Sequence, residues 1–152
     1  MPRLTYALEF KRSAAGQPIV ASNVVIMPGD AAGPAEPVMK FKRAVLKATP
    51  RLNPDDTFTE RGYITFGDPA ENNVLSFSSV GLGYMNAYPC PEQPTPDSEK
   101  PFTGGAVMWG IDSGSGYFAG ATGAITANFL IDLNKPGTGE LISYQFGVIY
   151  LQ

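Results

Sequence analysis

Three polar side chains stand on segments that alternate like β-strands, and each could supply charge or a hydrogen bond to a reaction. The guanidinium of Arg61 could pair with a carboxylate or an enolate of a substrate. An amide is unexpected at Asn128, among apolar neighbours, and Tyr144 joins an apolar ring to one hydrogen-bond donor. We therefore predict that Tyr144, Arg61 and Asn128 are catalytic. The alternatives are an exterior salt bridge, a solvent-facing amide and core packing of the tyrosine.

Aromatic residues supply apolar surface that could hold an organic molecule. They are spread along the chain on segments with a period of two, and a phenol or an indole adds one hydrogen-bond donor to that surface. We predict substrate contacts for Tyr6, Tyr63, Trp109, Phe129 and Phe146. Ordinary core packing is the simpler explanation for any one of them.

The composition excludes several kinds of chemistry. The 152 residues include no histidine, which removes Ser-His-Asp and Cys-His nucleophiles and every His-ligated metal site. The single cysteine, Cys90, can form neither an internal disulfide nor a thiolate cage. There is no Gly-x-x-x-x-Gly-Lys-Ser/Thr phosphate loop, and Gly114-Ser-Gly lacks the βαβ context of a dinucleotide site. We therefore expect no metal and no cofactor.

Charge and hydropathy limit the partners and the location. A net charge of −3 makes nucleic acid a poor partner. Six of the eleven basic residues are clustered, which we interpret as a solvated strand edge, with an acidic partner as the alternative: Lys40, Lys42, Arg43, Lys47, Arg51 and Arg61. No apolar run approaches the roughly 20 residues of a membrane helix. The first residues also lack the apolar core of a signal peptide, so we expect no membrane span and a cytoplasmic location.

Apolar residues recur mostly at every second position, which is typical of β-strands. In the first strand Leu4, Tyr6, Leu8 and Phe10 share one face. The 17 glycines and 14 prolines argue against long helices and mark the turns. Residues 38–48 fit a strand or a short helix, and we favour the strand because the surrounding segments are β. Residues 86–101 contain five prolines and predict a long loop, with or without a role in binding.

About eight strands and no strong helix predict one all-β domain over residues 1–152. The last strand, Leu141 to Leu151, stays apolar and aromatic along its length, which is typical of a sheet that closes on itself. The predicted fold is a closed, antiparallel, calycin-like barrel of eight strands, whose interior has room for side chains or one small ligand. A β-sandwich with its function on the surface is the alternative.

The C-terminal third carries a pattern of glycines and aromatics. The residues from Gly114 to Gly123 read Gly-Ser-Gly-Tyr-Phe-Ala-Gly-Ala-Thr-Gly, and the strand Ala-Ile-Thr-Ala-Asn-Phe-Leu-Ile-Asp follows. After a hairpin comes Ser-Tyr-Gln-Phe-Gly-Val-Ile-Tyr-Leu. Over residues 105–151 this pattern resembles the allene oxide cyclase and dirigent β-barrel superfamily, which includes small bacterial barrel cyclases. Glu9 resembles the family's first-strand glutamate in its strand position, but alternation places Glu9 on the outer face.

The resemblance implies a barrel with a hydrophobic cavity for one lipophilic molecule. Such a cavity folds a flexible substrate into its reactive conformer and needs no metal, nucleotide or histidine. It also implies a homodimer or homotrimer. We therefore expect a cofactor-free cyclase or isomerase that acts on a lipophilic natural-product intermediate. The alternative is a non-catalytic barrel that binds a lipophilic small molecule, and turnover of a bound molecule would separate the two.

Overall fold

The segments with an apolar residue at every second position form β-strands, and turns that contain glycine and proline join them. A computed structural model describes residues 2–29, 35–88, 102–132 and 139–152. Within these ranges the chain forms nine strands: β1 (Arg3–Arg12), β2 (Ile19–Pro28), β3 (Met39–Leu52), β4 (Thr57–Phe66), β5 (Val74–Ser79), β6 (Gly83–Tyr88), β7 (Phe102–Ser115), β8 (Thr122–Ile131) and β9 (Leu141–Tyr150).

The nine strands form one antiparallel sheet that closes into a barrel. Each of β1, β2, β3 and β4 pairs with the next, β7, β8 and β9 follow one another in the same way, and β9 pairs back to β1. The strands β5 and β6 lie end to end between β4 and β7 and share one position in the barrel. The predicted eight-stranded antiparallel barrel is confirmed, with one extra strand, and a β-sandwich is excluded because the sheet closes.

Three details differ from the sequence-based expectation. The chain has one strand more than the eight expected, because β5 ends at Ser79 and β6 begins at Gly83, after a bend where Gly81 has a φ of +71°. The strand prediction for residues 38–48 is confirmed, and β3 runs on to Leu52. Strand β6 extends to residue 88, inside the predicted loop 86–101. The rest of that loop, with Cys90, lies outside the described residues.

One end of the barrel is filled by aromatic rings. The ring centroid of Phe66 lies 4.9 Å from that of Phe118, 5.7 Å from that of Phe41 and 6.1 Å from that of Tyr6. A 3-10 helix, Gly116–Phe118, inserts the fully buried Phe118 there, and the backbone N–H of Tyr117 donates to the side-chain oxygen of Asn73 over 2.8 Å. Among the described residues, this end of the barrel interior is therefore occupied by packed side chains.

Helices contribute little to this fold. The two helices among the described residues, Pro69–Glu71 and Gly116–Phe118, are 3-10 turns of three residues each. In the same ranges no helix is long and apolar enough to cross a membrane.

Candidate functional site

The end of the barrel opposite the aromatic cluster contains a cavity of about 220 Å³. For comparison, an apolar cavity of about 150 Å³ holds one benzene molecule, so this space suits a compound of one or two rings. Three polar residues line the cavity: Arg12, Glu60 and Ser143. The remaining wall is apolar and includes Ile19, Leu46, Phe58, Met85, Trp109 and Phe129.

Glu60 points into the cavity because of its phase in β4. Side chains alternate along a strand, and the buried Phe58, Ile64 and Phe66 fix the even-numbered positions of β4 as the inner face. The indole nitrogen Nε1 of Trp109 donates a hydrogen bond to Oε1 of Glu60 over 3.1 Å. This carboxyl is therefore oriented on one side by the tryptophan and lies along an otherwise apolar wall.

Burial changes the acidity of this carboxyl. Loss of hydration raises the pKa of Glu60 to about 7, although the hydrogen bond from Trp109 favours the ionised form and opposes that rise. Trp109 is itself held rigidly, because its ring stacks on Phe77 with centroids 3.9 Å apart and planes 15° apart. At neutral pH the cavity therefore contains a carboxyl group that can either accept or donate a proton.

Ser143 lies on the opposite wall. Strands β9 and β4 lie on opposite sides of the barrel. In one direction they are separated by β1, β2 and β3, and in the other by β8, β7 and the shared β5–β6 position. Ser143 is 4 % exposed, and its Oγ accepts a hydrogen bond from Nε2 of Gln145 over 3.4 Å. Tyr6 in turn donates to Oε1 of Gln145 over 3.5 Å. The three side chains form a buried polar chain that ends at the cavity.

Arg12 marks the rim of the cavity. It is the last residue of β1, and its Nε donates to the carbonyl oxygen of Gly139, just before β9, over 2.8 Å.

Two aromatic rings of the cavity wall contact each other. The rings of Phe58 and Phe129 meet edge to face, with centroids 5.8 Å apart and an interplanar angle of 70°. The site thus has one cation at its entrance, aromatic walls and two polar groups on facing strands.

The predicted substrate-contact residues divide into three groups. Trp109 and Phe129 line the cavity. Tyr6 is buried at the aromatic end, beside Phe66, and reaches the cavity only through Gln145 and Ser143. Tyr63 and Phe146 lie on the outside of the barrel, where they are 41 % and 51 % exposed, so their predicted place in the cavity is corrected.

The three predicted catalytic residues also lie on the outer surface. Arg61 follows the inward-facing Glu60, and Asn128 precedes the inward-facing Phe129, so alternation turns both side chains outward, and both are exposed. Tyr144 is 56 % exposed. Their predicted placement in the cavity is therefore wrong.

On the outer surface Tyr144 is opposite Glu9 in the register of β1 and β9. A hydrogen bond with Glu9 raises the pKa of the Tyr144 phenol. Glu9 also pairs with Lys11, with Nζ and Oε1 2.7 Å apart, and this hydrogen bond is the main cause of a lowered pKa for Glu9. The expected outer position of Glu9 is confirmed, since it belongs to this exterior group and not to the cavity.

Sequence reasoning missed Glu60 and Ser143. For Glu60 the signal was present, because it shares the even-numbered face of β4 with Phe58 and Phe66. For Ser143 the pattern misleads, because β9 is apolar on its outer face and polar on part of its inner face. Within the described ranges, no group of three or more histidine, cysteine or acidic side chains is placed to hold a metal ion.

The chain matches no protein-family model, no curated protein and no solved structure. The resemblance to the allene oxide cyclase and dirigent barrels therefore stays a prediction, and the site is interpreted from its own geometry.

Proposed function

We propose that this barrel is a cofactor-free cyclase or isomerase that encloses a small lipophilic molecule and uses Glu60 to move a proton on it. The observation that carries the proposal is the Glu60 carboxyl, held by Trp109 at 3.1 Å and facing a cavity whose wall is mostly apolar. A titratable group with a perturbed pKa in such a cavity is the usual arrangement of a general acid or base. The resemblance of residues 105–151 to barrel cyclases supports the same reaction class.

The proposed step is a proton transfer within one substrate molecule. The ionised form of Glu60 removes a proton from a carbon atom, and the carboxylic acid so formed returns a proton to a different atom of the same molecule. The electron pair of the broken C–H bond shifts a double bond or closes a ring, so no oxidant or reductant is consumed. The walls hold the substrate in a reactive conformer and reduce the hydration of the carboxylate.

A non-catalytic binding barrel is the second candidate. It is favoured by the small number of polar groups in the wall, since an apolar cavity closed at one end by the aromatic cluster is sufficient to bind a lipophilic molecule. This candidate needs the cavity but does not need the carboxyl of Glu60.

The base-promoted ring opening of 5-nitrobenzisoxazole tests the proposal, because this uncharged two-ring compound reacts when a base removes one C–H proton. We expect kcat/KM to rise with pH around a midpoint near 7, where Glu60 ionises. Glu60→Gln keeps the side-chain shape and an acceptor for Trp109 but cannot take the proton, so we expect kcat/KM to fall by about 100-fold or more.

Glu9→Gln is the matched control, because it removes a carboxylate from the outside of the barrel and should leave the rate unchanged. An equal rate for Glu60→Gln and the wild type would overturn the catalytic role. Binding of the probe by both proteins, with no acceleration by either, would support the binding barrel instead.

A further inference from the structure

The buried polar chain formed by Tyr6, Gln145 and Ser143 has a direction. Tyr6 is 1 % exposed, and burial raises the pKa of its phenol far above the usual value, so the O–H proton is retained at all ordinary pH values. A buried O–H needs an acceptor, and Tyr6 donates to Oε1 of Gln145 over 3.5 Å. The phenol therefore fixes which end of the Gln145 amide faces it.

The fixed amide determines how Ser143 is used. With its oxygen turned to Tyr6, Gln145 presents its NH₂ group to Ser143, and Nε2 donates to Oγ over 3.4 Å. A serine hydroxyl has one hydrogen to donate in addition to its lone pairs. Among the hydrogen bonds of the described residues, none is donated by the Ser143 hydroxyl. Accepting from Gln145 also strengthens Ser143 as a donor, because hydrogen bonds in a chain polarise one another.

The spare donor lies at the cavity. Ser143 is part of the cavity wall on β9, and Glu60 is part of the wall on β4, four strand positions away in either direction. A molecule in the cavity therefore lies between a hydroxyl donor on one side and a carboxyl on the other.

We propose that Ser143 recognises the ligand by donating a hydrogen bond to its carbonyl oxygen, and that the ligand class is a small lipophilic carbonyl compound of one or two rings. A carbonyl fits better than a hydroxyl, because a carbonyl needs only a donor and leaves the Glu60 carboxyl free for proton transfer, whereas the hydrogen of a bound hydroxyl would occupy that carboxyl as its acceptor. A hydrogen-bonded carbonyl also acidifies the carbon atoms conjugated to it. This inference rests on the proposed function, since Glu60 would act on one of those carbons.

A pair of ligands that differ in the carbonyl tests the inference: 1-indanone, labelled with ¹³C at the carbonyl, and indane. For the wild-type protein we expect 1-indanone to bind about ten times more tightly than indane, which corresponds to one hydrogen bond. The infrared C=O stretch of bound 1-indanone should lie at a lower frequency than in an alkane solvent.

Two variants of Ser143 measure the donor itself. Ser143→Ala should weaken 1-indanone binding by about tenfold, leave indane binding unchanged and return the C=O stretch to its alkane value. Ser143→Cys keeps a weaker donor at the same position and should give an intermediate stretch. Circular dichroism confirms that each variant is folded, and Glu60→Gln, which leaves Ser143 intact, should retain the shifted stretch.

The outcomes separate this inference from the proposed function. Equal binding of 1-indanone and indane with an unshifted stretch would overturn the role of Ser143 and leave the cavity in place. A stretch that changes in Glu60→Gln but not in Ser143→Ala would also overturn it, because the donor would then be Glu60. Failure of both ligands to bind the wild-type protein would overturn the proposed function as well.

Discussion

Burial of the Glu60 carboxyl destabilises its ionised form, so this residue lowers the stability of the fold at neutral pH. It is placed in an apolar wall, where Trp109 donates a hydrogen bond to it, and burial raises its pKa from the usual 4.5 to about 7. Between these two pH values the native state keeps a proton that the unfolded state has released. The arrangement is therefore explained by function more readily than by stability.

The first prediction follows from that difference in proton binding. Because the native state binds more protons than the unfolded state between pH 4.5 and about 7, the free energy of unfolding should fall as the pH rises through this window. The contribution lost above pH 7 is at most about 3 kcal/mol. Glu60→Gln removes the ionisation, so the variant should match the wild type below pH 4.5 and exceed it above pH 7. Urea unfolding at a series of pH values measures this difference.

Glu9→Gln serves as the control for this titration. The pKa of Glu9 is lowered by its hydrogen bond with Lys11, so its contribution to stability is lost as the pH falls, which is the opposite direction. The Glu9 variant should therefore retain the decline between pH 4.5 and 7. If Glu60→Gln showed the same decline as the wild type, Glu60 would not be the group that titrates in this window.

At the scale of the strands, the position of Glu60 depends on how closely β3 and β4 approach. Gly62 lies two residues after Glu60 on the same face of β4 and pairs with Ala48 of β3. A Cβ atom at position 62 would overlap the carbonyl oxygen of Lys47 and lie 2.8 Å from the Cα of Ala48. A glycine is needed here because backbone, not a flexible side chain, occupies the space.

The second prediction is that Gly62→Ala destabilises the barrel by about 1–3 kcal/mol, because β3 or β4 must shift to admit the methyl group. Gly110→Ala is the matched control on β7, where the nearest atom to a new Cβ would be the tip of the Val80 side chain at 3.2 Å. That change should cost less than about 0.5 kcal/mol. Thermal unfolding of both variants measures the difference, and equal losses would contradict the close approach of β3 and β4.

Alternation along the strands predicted the architecture well but the cavity wall poorly. It gave the strand over residues 38–48 and the closed barrel, because turns and periodicity are local properties. It did not select the cavity side of β4, since the predicted site residues Arg61 and Tyr63 lie on the outer face of that strand. It did not give the inner face of β9, whose run is apolar on the outside at Tyr144 and Phe146. The polar Ser143 and Gln145 are buried instead. Gln145 accepts a hydrogen bond from the distant Tyr6, a partner that no local pattern contains, and Gln145 in turn donates to Ser143.

The whole molecule has two outer sides of different character. The outward positions of β8 and β9 carry no charged residue, and they expose the apolar side chains Leu130, Tyr144, Phe146 and Tyr150. Strand β3, which is four barrel positions from β8, carries five exposed cations: Lys40, Lys42, Arg43, Lys47 and Arg51. The predicted solvated strand is therefore on one side, and the uncharged surface is on the other.

The uncharged surface on β8 and β9 suits the centre of an interface with a second copy of the chain, because no like charges are brought together there. With β7 and β1 beside them, the four adjacent strands cover roughly 650 Å² in projection, and the accessible area, which includes the side chains, approaches the roughly 800 Å² per partner of a stable interface. The charged residues of this larger area lie on the two flanking strands: Arg3, Glu9 and Lys11 on β1, and Asp112 on β7.

The third prediction is that the protein self-associates through this surface. Light scattering during gel filtration should give a multiple of the 16.2 kDa chain mass for the wild type. Phe146→Glu places a charge between Thr126 and Ala7 in the middle of the surface, where association would bury it unpaired, and should give the single-chain mass. Tyr63→Glu changes a similarly exposed aromatic residue on β4 and should leave the mass unchanged. A wild-type protein that stays at 16.2 kDa at its highest concentration, or equal dissociation by both variants, would contradict this interface, since only Phe146 lies on it.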